Sequence, residues 1–140
     1  MLEKSKIIIT HYNQDGTVET DTDYFDNPDD IKINVKIKDG IDILQINPLS
    51  GTGIIHLKSV ICRSGDNEYI PEISSNGLEM EKGCYLYDVE DPWIQVKILN
   101  NHPEYVTFEL RIEPLAKQII QKLLGSRSQK KWRDFFHVFR

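Results

Sequence analysis

Ile31-Lys32-Ile33-Asn34-Val35-Lys36-Ile37-Lys38, followed at once by Asp39-Gly40 and then Ile41-Asp42-Ile43, sets the fold class of this chain. Apolar side chains occupy every second position from Ile31 to Ile37, and Lys or Asn fills the positions between them. An extended strand sends successive side chains to opposite faces. One face of this strand is therefore dry and the other wet, as in an antiparallel sheet packed on one side. The turn at Asp39-Gly40 restricts the pairing. A two-residue turn would set Ile37 opposite Asp42 and spoil the apolar face. A three-residue loop, Lys38-Asp39-Gly40 with Gly40 left-handed, sets Ile37 opposite Ile41 instead. The pattern predicts a hairpin closed by a type I turn and a G1 bulge.

The same period of two runs outward from this stretch. Further strands are expected at residues 6–12, 53–62, 85–89, 93–99 and 105–112. In residues 53–62 a phase change between Leu57 and Val60 predicts a bulge. Turn clusters at 13–16, 47–53, 63–67, 74–77 and 100–103 separate them. Seven or eight short strands with no helix before residue 113 give an all-β fold. The expected architecture is an antiparallel β-sandwich, jelly-roll-like, with an open barrel as the lesser option. After Pro114 the period becomes helical: Leu115, Ile119, Ile120 and Leu123 share one face, with Lys117, Gln118, Gln121 and Lys122 opposite. Gly125-Ser126 stops that helix, and Trp132, Phe135, Phe136 and Phe139 repeat the theme among Lys130, Lys131 and Arg133. The division is a sandwich over residues 1–113 and a basic amphipathic helical tail over 114–140.

Charge follows the same division. From residue 115 to 140 there are seven Lys or Arg against the single acid Asp134, so the remainder must carry eleven net negative charges to reach the total of −5. An acidic body with a basic tail points to a partner surface and excludes a basic nucleic-acid-binding domain. No apolar run approaches the about 20 residues a bilayer-spanning helix needs, and the first residues hold no apolar signal segment. The expected location is cytoplasmic, with the tail able to reach the inner face of a membrane. Cys62 and Cys84 lie in strands without CxxC spacing, so they read as free buried thiols and give no metal signal.

Catalytic motifs are missing. His11, His56, His102 and His137 are scattered, without HxH or HExxH spacing, and there is no GxSxG, P-loop or GxGxxG after a strand. The chain reads as non-catalytic, with no cofactor expected. An enzyme would need a cleft that gathers His56, His102 or the acidic residues from afar. Glu19, Asp21, Asp23, Asp26, Asp29 and Asp30 fail as an EF-hand, with Phe25 at position five and Asp26 where glycine is required. They read as a solvated acidic loop, with calcium in an irregular loop as the alternative.

Two surfaces remain. Around Asp91-Pro92, the residues Tyr85, Tyr87, Asp91 and Trp93 set aromatics beside carboxylates. An aromatic ring covers the C–H face of a pyranose while a carboxylate accepts from its hydroxyls, so these four are candidate contacts to a glycan or nucleotide sugar. The plain alternative is that the aromatics fill the core and Asp91-Pro92 makes a turn. On the tail, Lys117, Lys122, Lys130, Lys131, Trp132, Arg133 and Phe136 are candidate contacts to a partner protein, to the acidic body, or to an anionic membrane surface. The second functional reading is thus a protein-interaction domain whose tail makes the contact.

A resemblance adds to this. Ile43-Leu44-Gln45-Ile46-Asn47-Pro48-Leu49, then Gly53-Ile54-Ile55-His56-Leu57-Lys58-Ser59-Val60, resembles a recurring pattern of small β-sandwich domains. These accompany bacterial family-2 glycosyltransferases and methyltransferases of surface-polysaccharide synthesis. Asp91-Pro92-Trp93-Ile94 is similar to their Asp-Pro-x-Ile stretch, and the basic aromatic tail resembles the linker before a glycosyltransferase module. The likeness covers residues 20–112. Asn47 stands where the pattern has Asp, and no transferase domain follows within the 140 residues. The resemblance implies a non-catalytic accessory module of polysaccharide assembly that holds glycan or positions a glycosyltransferase partner.

Overall fold

Residues 31–43 form two strands that belong to different sheets. A computed structural model describes residues 5–98 and 102–126. Its strands are β1 (Ser5–Asn13), β2 (Val18–Phe25), β3 (Ile31–Lys36), β4 (Ile41–Asn47), β5 (Gly53–Ser64), β6 (Asn67–Tyr69), β7 (Ile73–Ser75), β8 (Leu78–Glu81), β9 (Cys84–Tyr87), β10 (Ile94–Lys97) and β11 (Tyr105–Pro114), followed by the helix α1 (Lys117–Ser126). They make a five-stranded sheet, β2-β1-β4-β10-β7, and a six-stranded sheet, β3-β11-β5-β9-β8 with β6 beside β5. Every pairing is antiparallel. This is the expected all-β sandwich.

The expected 37–41 hairpin is corrected. Among the described residues β3 pairs with β11 alone, while β4 pairs with β1 and β10, so the loop between them crosses from one sheet to the other. Ile37 N–H donates to Glu104 O at 2.8 Å and Gln14 N–H to Gly40 O at 2.9 Å, so the loop bonds to neighbours and not across itself. Gly40 is left-handed as expected, at φ 87°. Ile37 and Ile41 are both buried, but on facing sheets. Strand alternation records which side is dry and is silent on which strand lies alongside.

The inner faces meet through Ile7, Ile9, Leu44, Ile46, Ile94 and Val96 on one side and Ile33, Val35, Ile55, Val60, Val106, Phe108 and Leu110 on the other. The bulge in β5 is present: Glu109 pairs with Ser59 and Leu110 with Leu57, leaving Lys58 as the extra residue. The acidic stretch is not wholly a loop. Glu19, Asp21 and Asp23 alternate along the edge strand β2, opposite His11, Ile9 and Ile7. They stand on the core-facing side of the sheet, yet Glu19 and Asp21 remain exposed and Asp23 half-buried, and His11 Nε2 lies 3.0 Å from Asp21 Oδ2. Inward charges on an edge strand deter pairing with another chain's edge.

A second, smaller apolar cluster lies on the outer face of the six-stranded sheet. Ile54, Cys84 and Leu86 are covered there by Ile120, with Leu115, Leu123 and Leu124 of the helical region and Met80 of β8 packed around them. The start of the helical segment is thus part of the body. Ile119, expected on its dry face, is 43% exposed. Thr52 pins the approach to the helix, its hydroxyl donating to Leu115 O at 2.6 Å.

Burial has a consequence at high pH. It pushes Tyr69 and Tyr85 up to about 12 and Tyr87 higher still, from the ordinary value of 10.0. The unfolded chain therefore releases these protons before the folded one does, and stability present below pH 10 is lost progressively above it. Alkaline titration should show phenolate absorbance from the buried tyrosines appearing together with loss of the far-ultraviolet β signal. Smooth ionisation of all six tyrosines with the β signal retained would contradict the assigned burial.

Candidate functional site

The four residues expected to contact sugar do not share a face. Tyr85 and Tyr87 are two apart on β9, and their partners Ile55 and Gly53 show that the shared face is the inner one. Tyr87 is 0% exposed and belongs to the core. Tyr85 packs against the same core and its ring lies 6.4 Å from that of Tyr87. For these two the core reading holds, and a ligand cannot reach the Tyr87 ring. Asp91 is exposed and Trp93 half-exposed, in the loop between β9 and β10.

Buried Tyr87 nevertheless positions that loop. Ser75 Oγ lies 2.6 Å from Tyr87 Oη and 2.9 Å from Trp93 O. A serine hydroxyl has one proton and a carbonyl can only accept, so Ser75 donates to Trp93 O and Tyr87 donates to Ser75. Two asparagines complete the hold. Asn76 Oδ1 accepts from Trp93 N–H at 2.8 Å, and its Nδ2 donates to Asp91 O at 3.0 Å. Asn47 Nδ2 donates to Pro92 O at 3.0 Å and to Asp91 Oδ1 at 3.3 Å. An aspartate at position 47 could not make these donations.

From Asn47 a line of side-chain amides runs across the sheet. Gln95 Nε2 donates to Gln45 Oε1 at 2.8 Å, and Gln45 Nε2 donates to Asn47 Oδ1 at 3.0 Å. The line is head-to-tail and ends on the Asp91 carboxylate, so each bond polarises the next. Register sets it within a broader polar surface. Thr20, Thr10, Gln45, Gln95 and Ser74 stand in one row across all five strands, and Thr22, Ile8 and Asn47 in the next. Tyr24, opposite Lys6, is 59% exposed at one end of this outer face.

At that end the face runs into a cleft of about 830 Å³. Lys6, Ile8, Tyr24, Asn47, Glu90 and Asp91 line it, above an apolar floor that includes Leu49 and Ile112. The cleft is formed where the ends of β1, β2 and β11 meet the loops after β4 and β9. It offers hydroxyl-pairing groups, an aromatic face and carboxylates. Among the described residues its lining includes no histidine or cysteine.

His56 lies elsewhere, with Arg111 and Glu113 on the outer face of the six-stranded sheet. Arg111 Nη2 is 2.9 Å from His56 Nε2 and 2.8 Å from Glu113 Oε1. Guanidinium can only donate, so His56 accepts at Nε2 and carries its proton on Nδ1. Burial pushes the Glu113 carboxyl up from 4.5, with Arg111 opposing. The three flank the apolar cluster beneath α1 and read as a structural ion pair. Among the described residues no group of three or more His, Cys, Asp or Glu is placed to hold a metal ion.

Of the basic candidates, Lys117 and Lys122 are exposed on α1, while Lys130, Lys131, Trp132, Arg133 and Phe136 lie outside the described residues. No helix among the described residues is long and apolar enough to cross a membrane. In comparisons with protein-family models, curated proteins and solved structures, the chain has no match. What defines the molecule is its own geometry: an antiparallel β-sandwich with a polar, amide-laced outer face that ends in a cleft.

Asn47, Gln45, Gln95, Asn76 and Tyr24 carry no site signal in the sequence. Gln45 and Asn47 occupy the wet positions of an alternating strand, and Gln95 does the same on β10. That signal says exposed and polar. Only register brings the three together.

Proposed function

We propose that this domain binds carbohydrate, without catalysis, on the outer face of its five-stranded sheet and in the cleft at its end. The amide line from Gln95 through Gln45 and Asn47 to Asp91, opening beside exposed Tyr24, carries this reading. Sugar hydroxyls donate and accept at once, and side-chain amides offer both roles. The amides bond to one another before any ligand arrives, so little rotamer freedom remains to be lost on binding. Tyr24 supplies a ring for the C–H face of a pyranose. The resemblance over residues 20–112 suggests the setting: an accessory module of cytoplasmic polysaccharide assembly beside a glycosyltransferase, with the basic tail toward that partner or the inner membrane face.

Calorimetric titration with bacterial surface oligosaccharides tests the reading. Tyr24→Ala should weaken binding roughly five- to tenfold, the worth of one aromatic contact, with an unchanged melting temperature. Trp93→Ala should also weaken binding and leave the fold intact. Equal affinity for wild type and both variants would remove this face as the site.

A further inference from the structure

We infer that the cleft selects sugars by charge, taking amino sugars and neutral sugars and rejecting acidic ones, nucleotide diphosphate sugars included; this rests on the carbohydrate reading above. Among the described residues three charged side chains line the cleft, Lys6 against Glu90 and Asp91. Both carboxylates are exposed at its mouth. Asn47 bonds only Oδ1 of Asp91, at 3.3 Å, and among the described residues neither Asp91 Oδ2 nor the Glu90 carboxylate has a partner. Two acceptors of full charge are thus left for a ligand. An ammonium at C2 of a hexosamine pairs with them, a hydroxyl hydrogen-bonds to them, and a carboxylate or phosphate is repelled.

The surroundings act in the same direction. Outside residues 115–140 the chain carries eleven net negative charges. Asp23 precedes Tyr24 and Phe25, with which β2 ends at the cleft. A field of one sign over a concave site concentrates ligands of the opposite sign and slows approach of its own. Among the described residues Lys6 is the one lysine or arginine in the lining to hold a diphosphate. The amide line has no formal charge and serves hydroxyls of any sugar, so selection falls to Glu90 and Asp91.

The test titrates three probe pools on the full chain at low salt: glucosamine oligomers, neutral hexose and N-acetylhexosamine oligomers, and an acidic pool of galacturonate oligomers with UDP-glucose. Each exposed ion pair contributes a few-fold, so glucosamine oligomers should bind roughly tenfold more tightly than their N-acetylated counterparts. That advantage should fade at high salt, and the acidic pool should bind weakest. Glu90→Gln with Asp91→Asn should level the three pools. Acidic probes binding as tightly as neutral ones, or an order of affinity unchanged in the double variant, would overturn the charge selection and leave the carbohydrate reading standing. No binding by any pool would overturn both.

Discussion

Phe108→Ala should cost about 3–5 kcal/mol, the loss expected for truncating a fully buried aromatic side chain. Phe108 is 0% exposed on β11, whose neighbours β3 and β5 place Ile33 and Val60 beside it. It belongs to the joint core that also holds Leu44, Ile46, Ile94 and Val96 of the opposite sheet. Strands on both sides are tied into backbone ladders, so the walls cannot collapse into the void, and the cavity term adds to the lost transfer energy. A domain of this size has about 5–15 kcal/mol in hand, so the variant should be largely unfolded or near its threshold. The urea midpoint measures it. Ile119→Ala, at a side chain 43% exposed on α1, should shift the midpoint little. A Phe108 variant no weaker than the Ile119 variant would show that the two sheets do not share one core.

Gly53→Ala should be destabilising by about 3 kcal/mol through overpacking, although it adds a single methyl group. A Cβ at Gly53 would overlap the carbonyl oxygen of Glu113, lie 2.7 Å from Leu49 Cδ2 and lie 3.1 Å from Pro114 Cα. A flexible side-chain tip could move aside. The Glu113 carbonyl cannot, because Glu113 pairs with Ile54 and Pro114 with Gly53 at the end of the longest ladder in the fold. Leu49 and Pro114 also line the cleft, so the same substitution should reduce glycan binding in the fraction that stays folded. The urea midpoint again decides. An alanine variant as stable as wild type would mean that the end of β11 and the loop after β4 are not held together as described.

The sandwich was readable because binary alternation is a direct record of burial. Ile31, Ile33, Val35 and Ile37 alternate in sequence and are all buried. Pairing was not readable to the same degree. Ile37 and Ile41 satisfy the alternation equally well as hairpin neighbours or on facing sheets, and the chain takes the second course. β2 escaped notice because an edge strand needs no dry face: Glu19, Asp21 and Asp23 alternate with Thr20, Thr22 and Tyr24, without the apolar signal that marks a strand. At the candidate site, the sequence grouped Asp91 and Trp93 with Tyr85 and Tyr87, because an aromatic strip looks alike whether it faces solvent or core. Tyr87 turns inward and contributes at one remove, through Ser75 to the loop that carries Trp93. The partners that complete the surface lie 44 residues from Asp91 at Asn47 and 50 apart between Gln45 and Gln95, and no local pattern connects such pairs.

The most direct test follows the side-chain amide signals of Gln45, Asn47 and Gln95 and the indole N–H of Trp93 by nuclear magnetic resonance while bacterial glycan oligomers are added. Carbohydrate binding on this face should give saturable shifts at these four groups and at the amides of Glu90 and Asp91, with little change around His56 and Arg111 on the opposite outer face. Shifts confined to that opposite face and α1, or silence at all four side chains across the glycan series, would contradict it.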